Sequence, residues 1–518
     1  MILIPSAAYV QGDLRAEFGN IPPVFLPIGN RPLLASQIST LRSVFVDEEI
    51  VLSLPAGCEV GPALKAIIDE ERITVIETPS DCSLAKSLLH VLGSLDGLPN
   101  SLRILHGDTL FTDLPRGLDV ISVSTSTSDF GWEEAPTSNE SKSYWCGFFS
   151  FSDVAYFVTC LALSDGNFAE AVKSYFARHS VDFVESKSWH DCGHLNTYLQ
   201  SKRLVTTQRV FNELSFTDGG VVKSGSPREK ILSEANWFKL LPVRLKPFAP
   251  ALYEVQENVG QYEIEYLPMP ALNEIFVHGR QPVSFWQKVF EQLNQWLILS
   301  TDYGKIAGVE AEGLSEERQF LIETKTASRV DDYVKAVGLD IDRPLSINGE
   351  AIPSLRQIIT TLTRESLNVR IFPGVLHGDL CFSNSMWDSR NERLRLLDPR
   401  GVAKNFRSMP IRDIVYDIAK FSHSVVGFYD LIIANEFKSR SDFENGQFDL
   451  EIQFSNEHSL IRQEFMKTKI LGDNSIITNS FAQMILLFLT MPPLHSDDPV
   501  RQSALFANGL KLFAEFYK

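Results

Sequence analysis

His377-Gly378-Asp379-Leu380-Cys381-Phe382-Ser383-Asn384, followed by Leu396-Leu397-Asp398-Pro399-Arg400-Gly401, is the stretch on which the reading of this chain turns. Phosphoryl transfer from a nucleotide needs a carboxylate beside the acceptor hydroxyl, an amide that holds magnesium, and a second carboxylate that reaches the metal bridging the phosphates. Asp379, Asn384 and Asp398 have those chemistries in that order. Apolar runs flank both pieces, Ile371-Phe372-Pro373-Gly374-Val375-Leu376 on one side and Leu394-Arg395-Leu396-Leu397 on the other. The polar groups are therefore expected on a loop held between buried strands, where functional side chains are commonly displayed.

The rest of the chain sets bounds on that reading. Its 518 residues predict two to four domains at ~100–200 residues each. Hydrophobic residues make up 44% and charged residues 22%, the composition of an ordinary globular protein. The net charge of -17 argues against a broad phosphate-neutralising surface, so no nucleic-acid partner is expected. Six cysteines lie scattered without a CxxC spacing, which predicts reduced thiols in a cytoplasmic protein. Met1-Ile2-Leu3-Ile4-Pro5 reads as a first strand, and Met484 to Met491 is too short for a bilayer span, so no membrane insertion is expected.

Residues 1 to about 200 alternate short apolar runs with helical stretches. Glu49–Leu54, Ile73–Ile76, Arg103–His106 and Val120–Val123 read as strands, and Gly61–Glu71 and Ser83–Leu95 as helices. The alternation predicts an α/β sheet, mostly parallel. Ser124–Ser128 and Glu133–Ser143 read as loops. A second pattern starts near residue 204. Leu204–Phe211 and Gly220–Ser224 read as strands, Pro227–Leu241 as a helix, and Ala251–Val255 and Tyr262–Tyr266 as a further strand pair. From Val283 onward the periodicity is mainly helical, interrupted by the strand-loop-strand at 375–398. The domains are expected at 1–203, 204–282 and 283–518, the last two being lobes of one unit.

Residues 204–518 resemble the aminoglycoside/choline phosphotransferase family, relatives of the protein kinases. The family's HxDxxxxN appears as His377, Asp379 and Asn384, and its metal-binding acid as Asp398. Val221-Val222-Lys223 looks like its phosphate-pairing lysine, Glu234 like that lysine's partner, and Tyr262–Leu267, with Glu265, like the hinge that reads the base. The resemblance implies a bilobal α+β kinase-like domain in which Asp379 is catalytic, Lys223, Glu234 and Glu265 serve the nucleotide, and Asn384 and Asp398 hold Mg2+. ATP and a small hydroxyl acceptor, a sugar or an amino alcohol, are the implied substrates. His377 is read as structural, and Arg400 as a residue that can contact substrate. The segment Arg412–Lys420 reads as an amphipathic helix whose Asp413 and Asp417, one turn apart, brace the loop.

Residues 1–203 resemble the sugar nucleotidyltransferases, which implies a Rossmann-like mixed-sheet domain. Pro22–Leu34 is similar to that family's proline-rich signature, Asp108 ends a strand where one metal-binding aspartate stands, and Trp189–His194 places Asp191 as the second. Arg15 and Arg31 are the cations left for phosphate. The chain departs from the family in two ways. Ala7, Ala8, Tyr9 and Val10 replace a glycine-rich loop whose amides would approach a triphosphate, and Pro23 replaces a lysine. Three readings compete. The first is a kinase fused to a nucleotidyltransferase, as in bacterial capsule biosynthesis, with one site feeding the other and a second nucleoside triphosphate bound at the N-terminal domain. The second is a kinase with a non-catalytic N-terminal domain that binds a nucleotide sugar, scaffolds, or builds a homo-oligomer. The third is a scaffold throughout.

Overall fold

A computed structural model describes residues 1–29, 31–125, 132–135, 142–205 and 212–518. The chain divides into two compact units, Met1–Thr207 with His278–Arg280, and Gln208–Val277 with Gln281–Lys518.

The first unit is built on a seven-stranded sheet in the order Asp182–Glu185, Val120–Thr125, Ser143–Phe151, Leu102–Leu105, Ile2–Pro5, Ile50–Pro55, Thr74–Thr78. Ser143–Phe151 runs antiparallel to both its neighbours and the other pairs are parallel, so the sheet is mixed. Ile2–Pro5 and Ile50–Pro55 are buried at every residue, which is why they read as apolar runs, with Ser53 the one polar side chain, and show no alternation. Helices Leu33–Val44, Pro62–Glu70 and Leu84–Gly93 make the crossovers. Leu84–Gly93 buries Leu88, Val91 and Leu92 against Phe149, Phe151 and Phe157. Val120–Thr125 carries its strand two residues into the expected loop at 124–128, whose remainder lies outside the described residues. Leu204 and Val205, expected in a strand, instead end the helix Leu195–Val205. Residues 206–211 of that expectation lie outside the described residues, and the strand begins at Asn212.

The second unit opens with a four-stranded antiparallel sheet in the order Asn212–Phe216, Gly220–Gly225, Gln261–Glu265, Leu252–Gln256, with the helix Arg228–Leu240 against it. Its larger part is helical, built around Val283–Ile306, Leu355–Asn368, Val415–Val425, Phe481–Thr490 and Pro499–Tyr517. It also holds a second four-stranded sheet in the order Glu350–Ser354, Pro344–Ile347, Gln447–Ile452, Phe437–Asp442, which the helical reading missed. The signals were present. Gln447-Phe448-Asp449-Leu450-Glu451-Ile452 alternates exposed and buried residues without exception. Asn348-Gly349, both at positive φ, forms the two-residue turn between two strands.

The helix Val283–Ile306 packs directly on the strand Pro373–Val375 that leads into the central loop. Ser300 Oγ donates to the Val375 carbonyl at 2.6 Å, and a Cβ on Gly304 would run into the Pro373 carbonyl. Helix propensity alone would make Gly304→Ala stabilising by ~1 kcal/mol. The close approach reverses the sign, and the variant is expected to lose about 1–3 kcal/mol in urea unfolding.

Candidate active site

The loop that follows Pro373–Val375 is locked before any charge is considered. Leu380 and Phe382 are fully buried, and Phe382 packs edge-on against Phe276 and Phe421 at 5.2 and 5.1 Å between centroids. Burying one such side chain contributes about 1.5–3 kcal/mol. Asp417 accepts the amides of His377 and Gly378, each at 2.7 Å, one on each carboxylate oxygen. Burial pushes its carboxyl up to about 7 against those two donors. Asp417 lies on the helix Val415–Val425, but Asp413 lies on the strand Ile411–Asp413, so the two are not one helical turn apart as expected. Asp413 accepts from the Phe372 and Val415 amides instead, both at 3.2 Å. The helix is not amphipathic either. Val415 and every residue from Asp417 to Val425 are buried.

His377 is wholly buried, with a pKa lowered to about 4 by that burial, so it is neutral. Its Nδ1 accepts the Asp379 amide at 3.3 Å and Trp237 packs edge-on against its ring. Gly378 has φ +83°, and a Cβ there would meet Arg400 Cβ at 2.6 Å. No other residue fits on both counts.

On this frame the carboxylates and cations converge. Asn384 Nδ2 donates to the Asp379 carbonyl at 2.9 Å and to its carboxylate at 3.2 Å, which leaves the amide oxygen as a ligand for a hard cation. Lys420 Nζ lies 3.0 Å from Asp379 Oδ1. Burial would raise the Asp379 carboxyl, but Lys420, aided by Arg400, holds it at about 2, so it is ionised at neutral pH. Asp398 sits in the left-handed region at φ +52°, and its Oδ1 accepts from Lys223 Nζ at 2.9 Å. Lys223 also donates to Glu234 Oε2 at 2.7 Å, and Tyr262 donates to the same oxygen at 3.1 Å. Lys223 and Tyr262 stand opposite each other on paired strands, so both side chains leave the same face and reach one carboxylate. Burial opposes the Lys223 ammonium, but Asp398 and Glu234 outweigh it and raise its pKa. Glu265 stands apart from this group. Its carboxylate is held by Arg395 at 2.6 Å and by the Ala251 amide at 3.1 Å.

In the first unit, the strand pair Thr109–Phe111 and Trp189–Asp191 brings Asp108 and Asp191 together. Cys192 donates its amide to the Asp108 carbonyl at 2.8 Å. A Cβ on Gly193 would meet Asp108 Oδ2 at 2.7 Å and Asp191 Oδ1 at 3.5 Å, so the glycine leaves open a cradle walled by both carboxylates. Asp191 Oδ2 is taken by Thr197 and by His194 Nδ1 at 2.9 Å. Burial, and then the like charge of Asp108, raise the Asp191 carboxyl above its usual range. Two carboxylates suit a magnesium ion that keeps phosphate oxygens and water in its shell. Among the described residues no group of three or more His, Cys, Asp or Glu forms a closed metal site. Arg15 and Arg31 are exposed on the helix Gly12–Phe18 and the strand Arg31–Pro32, and among the described residues neither pairs with an acid.

Reading the sequence missed Lys420, Tyr262 and Gly193. Lys420 was the most accessible of them, being the one lysine or arginine in the segment Val415–Val425.

Parts of this chain are similar to solved structures of two kinds. A nucleoside-diphosphate-sugar pyrophosphorylase from Vibrio cholerae RC9 matches at 13% identity and a TM-score of 0.31, over 39% of this chain and 100% of its own. The inositol-1-phosphate CTP transferase from T. maritima matches at 14% and 0.31, over 39% and 94%. A choline/ethanolamine kinase family protein from Mesorhizobium loti matches at 11% and 0.35, over 59% and 86%. At those scores the likeness says nothing about chemistry, which has to come from the side chains. No protein-family model and no curated protein matches the chain. No helix among the described residues is long and apolar enough to cross a membrane.

The pairing of Lys420 with Asp379 has a measurable weight. Lys420→Met leaves the carboxylate without its cation, and the variant should lose about 1–3 kcal/mol. That is less than the ~3–5 expected for a fully buried pair, because the Asp379 side chain is 37% exposed. The sign of the pH dependence follows from the depressed pKa. The stabilisation is present above the unfolded carboxyl value of about 3.9 and is lost as pH falls toward about 2. Chemical denaturation at pH 7 and pH 2.5 should therefore find the gap between parent and variant narrowing at the lower pH.

Proposed function

We propose that the second unit is an ATP-dependent phosphotransferase acting on a hydroxyl group of a small molecule. The observation that carries this reading is Lys223, bonded at once to Glu234 and Asp398, with Asp379 and Asn384 joined on one braced loop. Lys223 would meet the nucleotide phosphates as a point charge, its position set by Glu234 and Tyr262. Asn384 and Asp398 supply the hard oxygens for magnesium, which would neutralise charge on the phosphates when bound. Asp379 orients the acceptor hydroxyl and takes its proton as the oxygen attacks the terminal phosphorus. The bond to the bridging oxygen breaks, and the nucleoside diphosphate leaves with the electron pair. A carboxyl held near 2 is a weak base, so Asp379 contributes mainly by alignment.

The first unit, on this proposal, handles a phosphate-bearing nucleotide ligand at the Asp108 and Asp191 cradle. A second reading, in which it binds without chemistry, is favoured by its first loop. Ala7 and Val10 are buried there, the Val10 amide is tied to the Ile21 carbonyl at 2.9 Å, and Pro23 stands in a helical turn where a cation would serve phosphate.

Thermal-shift titration of the full chain with Mg-ATP should raise the midpoint, and Asp398→Ala should abolish the shift. No shift in the parent chain would sink the kinase reading. For the first unit, Asp108→Asn relieves the repulsion at the cradle. In metal-free buffer it should be as stable as the parent or up to ~1 kcal/mol more so, and stabilisation of this unit by Mg2+ with CTP or UTP should be lost.

A further inference from the structure

We propose that the acceptor pocket of the second unit takes a small polyhydroxylated anion, a carboxylate or a phosphate, rather than a neutral or cationic alcohol. This rests on the kinase reading above. A small pocket lies beside Arg400, two residues after Asp398. Lys325 and Arg329 enter it from one helix, Arg400 from the loop after Asp398, and Tyr416 and Gln483 from two further helices.

Two of its lining residues tie the pocket to the loop that carries Asp379. Tyr416 is one helical turn from Lys420, which pairs with Asp379, and the Arg400 amide donates to the His377 carbonyl at 2.7 Å. The Arg400 guanidinium also lies over the Tyr416 ring at 5.4 Å.

Three cations line this pocket and no carboxylate does. Among the described residues neither Lys325, Arg329 nor Arg400 forms an ion pair. Lys325 and Arg329 are four apart on the helix Lys325–Val337, a spacing at which like charges disfavour the helix. Both are half-buried. Burial, and then Arg400, Arg329 and Lys420, lower the Lys325 ammonium to about 8. Two carboxylates lie near Arg400, and both are engaged elsewhere: Asp379 pairs with Lys420, and Asp417 accepts the His377 and Gly378 amides. Gln483 adds a second sign of a missing partner. It is 8% exposed, and its Oε1 is buried with no hydrogen-bond partner. A buried polar atom left so is costly unless a ligand completes it. The helical turn Phe320–Thr324, wound as π-helix, immediately precedes Lys325 and contributes Leu321 and Ile322 to the wall. Turns of that kind are frequent at functional sites.

A quaternary ammonium needs the reverse arrangement, aromatic faces or acids around the cation. A carboxylate or phosphate is what guanidinium and ammonium groups bind, Arg in two-pronged fashion. Gln483 and Thr490 remain to meet hydroxyls.

The test is a thermal-shift titration of the full chain, with Mg2+ and a non-hydrolysable ATP analogue, against inorganic phosphate, glucose 6-phosphate and gluconate. Glucose and choline serve as controls. At least one of the three anions should raise the midpoint, and the controls should not. Glucose 6-phosphate against gluconate separates a phosphate from a carboxylate ligand. Arg329→Gln and Lys325→Gln should each weaken that anion at least about tenfold, while the free variant unfolds at a higher temperature than the free parent because like charges have been thinned. Loss of a merely structural role would lower both. Stabilisation by choline, no stabilisation by any anion, or equal anion shifts in parent and variants would overturn the proposal. The nucleotide shift, recorded first without acceptor, reports the kinase reading by itself.

Discussion

The second unit hangs on one buried ammonium. Lys223 sits on a strand of the small sheet, Glu234 on the helix behind it, and Asp398 on the loop after the hairpin, and the lysine bonds the two carboxylates together. An ammonium in such a place is tolerable only with anions at hand. Both partners are needed because the positions serve different ends. Glu234 is fixed within its own lobe by Tyr262, whereas Asp398 is 46% exposed and at a strained φ of +52°. Strain of that kind persists only where the surroundings over-determine it. Here Leu397 donates its amide to Asn384 and Arg400 donates its amide to His377, on either side of Asp398. The left-handed residue is thus clamped at both shoulders, and its carboxylate is delivered to the lysine.

The helix Arg228–Leu240 is the other half of the clamp. Gly401 packs so closely on Ser233 and Glu234 that no Cβ fits, Val402 donates to the Ser233 carbonyl, and Asn236 donates to the carbonyls of Val402 and Ala403. Trp237 reaches the Leu376 carbonyl from the same helix. The residue that pairs with Lys223 and the residues that hold both ends of the central loop therefore sit on one rigid element. Preorganisation of this kind is what alignment catalysis requires.

The central loop was readable in the sequence because its chemistry is written in consecutive residues, and spacing along the chain is close to spacing in space. Lys223 and Glu234 were readable for a related reason. A strand and the helix after it put them near each other by short-range geometry. Lys420 and Gln483 were not, since they reach the site from helices 41 and 104 residues after Asp379, and only packing brings them there. Tyr262 stands in the segment that resembles a hinge, yet its hydroxyl serves Glu234, a pairing fixed by strand register that sequence does not display. The second sheet was missed for a different reason. Its signals, the Asn348-Gly349 turn and the alternation at 447–452, stood inside a region whose dominant period is helical.

Composition and site point in opposite directions, and distance reconciles them. A net charge of -17 disfavours binding a polyanion over a wide face. At physiological salt, however, exposed charges farther apart than ~8 Å are largely screened from one another. What an anion meets on entering the second unit is then set by the few groups within that radius. Those are Lys325, Arg329 and Arg400, half-buried or exposed and without acids among them, and Lys420 behind them, already neutralised by Asp379. The acidic surface keeps extended polyanions away by their many distant charges, while a single small anion pays little of that repulsion and is drawn by the local cations. An acidic chain can thus hold an anion-selective pocket, and the acidity sharpens the discrimination by size.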